Sequence, residues 1–200
     1  MLRHFSVLFA SALVFSGCER QQGAQTDGFV SHERLQAAFS QCRAGDTFEG
    51  LAALDEIVDA APESADARAL RGLCAWTRWD QTQDDTDIER AYDDMTEAIR
   101  LLEESVDGAG SVALDRIYNH RAFIVHALDD SWERSVEDLT RAKELAPAVP
   151  MHVIDRGVAR VQLGDSTGAR EDLRAYLSMT DSSASRRREV AESLLAELGE

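Results

Sequence analysis

Residues 120–147 read HRAFIVHALDDSWERSVEDLTRAKELAP, and residues 155–181 read DRGVARVQLGDSTGAREDLRAYLSMTD. Laid over each other, their second halves superpose at a spacing of 34, with Ser135 on Ala169, Asp138 on Asp172 and Leu139 on Leu173. The first halves superpose at 35, Arg121 on Arg156 and Ala122 on Gly157, so the earlier copy carries one more loop residue. Such a period marks a structural repeat whose single unit cannot bury its own apolar face and needs a neighbour. Upstream, ALRGLCAW and ERAYDDMTEAIRLL fit the same template, Gly72 matching Ala122 and Ala91 matching Ser135. That copy has about seven additional residues, expected as loop around 81–85. The first copy starts at Ser31, and its Ala38 matches Gly72 at 34.

Each unit holds two helical patterns joined by a turn, with Gly45 and Gly164 opening two turns and Pro62 and Pro147 closing two units. Abundant Ala, Leu, Arg and Glu with 6% aromatic residues favour helix over strand. A helix–turn–helix unit of this length, with small residues at Ala38, Gly72, Ala122 and Gly157 and again at Gly50, Ala91, Ser135 and Ala169, resembles the tetratricopeptide repeat. The resemblance covers about 31–181. It implies an all-α, right-handed α-solenoid of about four such repeats over residues 31–182. The aromatic residue usual on the first helix is replaced by Gln41, Ala75, Val125 and Arg160. Residues 183–200, with SRRREVAESLLAEL, supply an amphipathic helix to cap the last unit.

The repeats also act as their own alignment. Arg71, Arg121 and Arg156 precede the first small residue in three copies, and Asp94, Asp138 and Asp172 follow the second by three. The first copy has Ala37 and Ala53 there instead. Features that appear and vanish together are expected to touch, so one Arg–Asp pair should join the two helices of each of repeats two to four. Pairing with the preceding repeat fits worse, because Arg71 would then face Ala53. In the tetratricopeptide arrangement the first helices line a groove. The resemblance places Phe39, Leu73, Trp76, Asn119, Phe123, His126 and Val158 on it: a mostly apolar surface with a polar island at Asn119, His120 and His126. Lys and Asn arranged to grip a peptide carboxylate are missing. The expected ligand is therefore an apolar or amphipathic protein segment.

Cys42 and Cys74 fall on neighbouring first helices. Helix axes are commonly about 8–10 Å apart, whereas a disulfide wants Cα atoms within about 7 Å, so two buried free thiols are expected, with a disulfide the alternative if both side chains point inward. The charge of −16 argues against a nucleic-acid partner, whose phosphates would be repelled. No phosphate-binding loop, dinucleotide fingerprint, H-E-x-x-H or G-x-S-x-G occurs, no Cys/His spacing makes a metal site, and no cofactor is implied. The acidic run 83–87 lacks the Gly and terminal Glu of a dedicated calcium loop and reads as a solvated insertion.

At the other end, Arg3 and His4 precede an eleven-residue apolar stretch, FSVLFASALVF, and then Ser16-Gly17-Cys18. A charged start, an apolar centre too short to span a bilayer and small residues at the cut describe a secretory signal peptide over 1–17. The Cys after the small pair makes it resemble the bacterial lipoprotein signal, with Phe15 in place of the usual Leu. This implies that Cys18 is acylated and becomes the N-terminus, anchoring without spanning. Glu19 rather than Asp after the Cys points to the outer membrane facing the periplasm, and polar residues 18–30 read as a tether. The functional expectation is a lipid-anchored, non-enzymatic protein-interaction scaffold of the cell envelope. The alternative is an accessory or regulatory subunit of an envelope enzyme.

Overall fold

Helix starts are set by side chains that accept what the helix cannot bond internally. Ser31, Ser64, Asp84, Ser131 and Asp165 each precede a helix and accept a hydrogen bond from a backbone N–H of its first turn. Gly45 and Gly164 end two helices at φ 100° and 84°, the left-handed region that costs glycine nothing. The computed structural model describes residues 31–105, 112–180 and 186–199. Cys18, the signal segment 1–17 and the tether 18–30 lie outside the described residues.

Among the described residues the chain is all helix: α1 (His32–Ala44), α2 (Thr47–Ala60), α3 (Ala65–Thr82), α4 (Asp85–Glu104), α5 (Leu114–Asp129), α6 (Trp132–Leu145), α7 (Pro150–Leu163), α8 (Ser166–Met179) and α9 (Arg186–Glu197). Two compact units divide them, the first ending at Val112 and the second starting at Ala113. In the first, α1 packs on α2 and α3 on α4, and both α1 and α2 meet α3. In the second, α5 pairs with α6 and α7 with α8, α6 leans on α7, and α9 covers α7 and α8. This is the all-α helical-repeat class. No described helix is long and apolar enough to cross a membrane.

The small residues of the repeat sit where paired helices approach closest. A Cβ on Gly72 would lie 3.2 Å from the Ala91 carbonyl oxygen, and one on Gly157 would lie 3.2 Å from Leu173. In the third repeat Ser135 Oγ donates to the Ala122 carbonyl at 2.7 Å, so the crossing itself carries a hydrogen bond. At Gly50 a Cβ would collide with the Cys42 sulfur and backbone nitrogen and with the Ala38 carbonyl.

Two expectations fail here. The additional residues of the second copy are not loop: they lengthen α3 to 18 and α4 to 20 residues, against 14 each in α7 and α8. The acidic run belongs to the start of α4, and Asp87, 1% exposed, is held by Arg78, whose Nε donates at 2.6 Å. Nor are the two thiols free, because Cys42 and Cys74 form a disulfide with Cα atoms 5.5 Å apart. Axis spacing overestimates the gap: Cα atoms lie about 2.3 Å off the axis, so facing residues come closer than the helices do. Closing that loop is worth roughly 4 kcal/mol in the chain-entropy account.

Gly50→Ala should destabilise the oxidised protein by about 1–3 kcal/mol through overpacking against Cys42. Urea unfolding measures this, and an unchanged midpoint would show that α1 can shift away.

Candidate functional site

The ion pairs that join each hairpin share one geometry. Arg71 Nε and Nη2 donate to the two oxygens of Asp94 at 2.7 and 2.8 Å. Arg121 engages Asp138 through the same two nitrogens at 2.8 and 2.7 Å, and Arg156 engages Asp172 at 2.8 and 2.7 Å. A planar guanidinium meeting a carboxylate with two parallel bonds fixes orientation as well as distance. The preceding repeat also takes part, contrary to expectation, through residues other than Ala53. Asp55 on α2 accepts from Arg71 at 3.0 Å and from Arg90 at 3.2 Å. Lys143 on α6 reaches Asp172 at 3.1 Å, and Arg160, at a position usually aromatic, reaches it at 2.8 Å. Burial works against ionised Asp172, but Arg156, Lys143 and Arg160 together hold its carboxyl below the usual range. In the first repeat, Ala37 and Ala53 line an open hollow of about 230 Å³ with Arg34, Gln41 and Glu56.

On the first helices, Phe39, Trp76, Phe123, His126 and Val158 are half-buried, while Leu73 and Asn119 are buried. Trp76 stacks on Trp79 with centroids 5.1 Å apart, and His126 stacks on Trp132 at 3.7 Å. Cys42, in the same row, is consumed by the disulfide. Val158 and Val161 pack against the buried cluster of Val153, Ile154, Leu173, Tyr176 and Ala191, and Leu194 and Leu195 of α9, with Leu198 just after it, pack against that same cluster. No group of His, Cys, Asp and Glu among the described residues could hold a metal ion.

No protein-family profile matches the chain. Over 55 residues it is 40% identical to a UPF0162 protein of Xylella fastidiosa, a stretch that is 28% of this chain and 20% of that protein. The chain thus spans about a fifth of the length of the curated relatives it matches. Solved structures match far more of it. A thermophilic TPR protein of Thermus thermophilus superposes with a TM-score of 0.65 at 15% identity, covering 82% of this chain and 80% of that one. YrrB, described as a TPR protein with an unusual peptide-binding site, gives 0.61 at 15% identity over 84% and 79%. A tetratricopeptide repeat protein of Parabacteroides merdae gives 0.62 at 17% identity over 83% and 59%. The fold is of the tetratricopeptide-repeat type.

Between the first helices of the third and fourth TPR motifs, Asn119 of the expected polar island turns inward, while His120 and His126 stay half-buried. Asn119, 1% exposed, donates from Nδ2 to Asp155 Oδ2 at 2.9 Å. His152 Nε2 lies 2.7 Å from Asp115 Oδ2 on a fully buried ring. Asn119 is therefore occupied by its own chain, because α7 supplies a carboxylate directly opposite. Sequence reasoning missed Asp115, His152 and Asp155; their spacings of 37 and 36, close to the repeat, were the available signal.

Replacing either Arg121 or Asp138 with an apolar residue should cost about 3 kcal/mol by leaving its partner unpaired. The double replacement should cost less than the sum, and strict additivity in the double-mutant cycle would exclude the contact.

Acid titration separates two opposing groups in this network. Burial pushes the Asp155 carboxyl up to about 6, against the Asn119 hydrogen bond and the charge of Arg187. Burial, with Arg116 and His152 nearby, brings His120 down to about 4. The stability from Asp155 is full below about 4 and is lost as pH rises through 6. That from His120 is full above about 6.5 and is lost as pH falls toward 4. Asp155→Asn should make stability fall on acidification from pH ~6.5 to ~4.5 relative to the parent, and His120→Gln should make it rise. Denaturation midpoints across that range measure both; curves parallel to the parent's would exclude the opposition.

Proposed function

We propose that this protein is a membrane-anchored lipoprotein of the bacterial envelope that docks other proteins through its TPR helices. The observation that carries the reading is a set of large first-helix residues, Phe39 and Trp76 in the first unit and Phe123 and Val158 in the second. Its side chains remain half-buried on helices that a TPR fold presents for contact, and large apolar side chains anchor protein interfaces out of proportion to their number. YrrB, of the same fold, is described with a peptide-binding site. With Asn119 closed by Asp155, these side chains favour an apolar or amphipathic segment over a carboxylate ligand.

Two observations support the address. Cys18 follows a short apolar segment and a small-residue pair, and the Cys42–Cys74 disulfide suits an oxidising compartment such as the periplasm. Acylation at Cys18 supplies two or more chains, enough for stable anchoring.

Cys18→Ala should move the protein from the membrane to the soluble fraction, and retention in the membrane would remove the anchor. Phe123→Asp should abolish crosslinked capture from envelope extract while circular dichroism keeps its helical signal. Undiminished capture would put the binding surface elsewhere.

A further inference from the structure

Helix α1 is thinly docked. It buries three residues, Leu35, Ala38 and Cys42, where α3 buries seven, Gly72 among them. The Arg–Asp pair of the later repeats is missing from its hairpin, which has Ala37 and Ala53 instead. Among the described residues Arg34 and Arg43 enter no ion pair. One of the three anchors of α1 is thus a covalent bond, made by Cys42 to Cys74 on α3. That bond lies beside the apolar row: Cys42 is three residues after Phe39, and Cys74 adjoins Leu73 and precedes Trp76 by two.

We propose that the Cys42–Cys74 disulfide is a redox latch on the first repeat. Oxidised, it holds α1 against α3 and sets Phe39 beside Leu73 and Trp76; reduced, α1 leaves α3 and that part of the row comes apart. The consequence for binding rests on the function proposed above, but the latch itself does not. Both cysteines are almost fully enclosed, at 1% and 0% exposure, so thiol–disulfide exchange requires α1 to lift first. A helix with so few buried contacts belongs to the low end of local stability, where such opening occurs. In the opening reaction one thiolate of a dithiol attacks a cysteine sulfur and displaces the other as thiolate. The second thiol of the reagent then resolves the mixed disulfide. Cys42 and Cys74 emerge as thiols, and the dithiol, having given two electrons and two protons, becomes a disulfide. The reverse exchange, with an oxidised dithiol carrier, closes the latch.

Hydrogen exchange read by mass spectrometry on the full chain tests this, with and without dithiothreitol and on a Cys42→Ser, Cys74→Ser double variant. Amides of α1 should exchange roughly tenfold faster or more in the reduced chain and in the variant, while those of α5 to α8 keep their rates. Trypsin should then cleave at Arg34 and Arg43. Unchanged protection of α1 in the double variant overturns the latch. So does an equal loss across α5 to α8, which marks the bond as a general stabiliser. No ligand enters either readout, so the latch and the proposed docking function can fail separately.

Discussion

The two-pronged contact between an arginine of a first helix and an aspartate of the second organises this protein. A guanidinium and a carboxylate held by two parallel hydrogen bonds have one good relative orientation. Repeating that contact at Arg71–Asp94, Arg121–Asp138 and Arg156–Asp172 gives three hairpins the same register. Burying ions costs desolvation, so such a pair sets geometry more than it adds stability, and loss of one partner is penalised heavily. Further cations and acids gather around the pair. Asp55 reaches forward from α2 to Arg71 and Arg90, and Lys143 from α6 to Asp172, so the link within a hairpin also ties it to the hairpin before. The first repeat does without the pair and is joined by sulfur to the second.

Polar groups inside the second unit follow a different rule. Asn119–Asp155 and Asp115–His152 bridge consecutive first helices rather than the two helices of one hairpin. Enclosure there favours neutral forms, which lifts the Asp155 carboxyl and lowers the His120 imidazole. Asn119, polar from its helix face, is thus interior, while His120 and His126 stay half-buried.

Much of this was legible in the chain because repeats report on one another. Helix pairing, the small residues at the crossings and the three ion pairs all follow from laying copies side by side, since equivalent positions share equivalent surroundings. What lay hidden involves relations between copies rather than within them. Asp55 stands where the later copies have Thr96, Thr140 and Arg174, so charge alone does not flag it, although Thr140 accepts from Arg156 as Asp55 does from Arg71; Asn119 reads as a surface residue until α7 places Asp155 against it. The sulfur pairing was misjudged because a spacing between helix axes stood in for the distance between facing Cα atoms. The extra residues of the second copy read as loop because charge and Gln are common there; in the fold, Arg78 neutralises Asp87 and the helices simply continue.

That continuation shows what lengths this architecture tolerates. Nineteen residues separate Gly72 from Ala91, against twelve between Gly157 and Ala169. The excess divides into four on the outgoing limb, from Gly72 to the end of α3, and three on the returning limb, from the start of α4 to Ala91. Each share is close to the roughly 3.6 residues of one helical turn. Both limbs therefore gain one winding, and the same flanks still meet when they return. Growth by a fraction of a winding would swing the inner flank outward, so length variation in such hairpins should come in paired, whole windings.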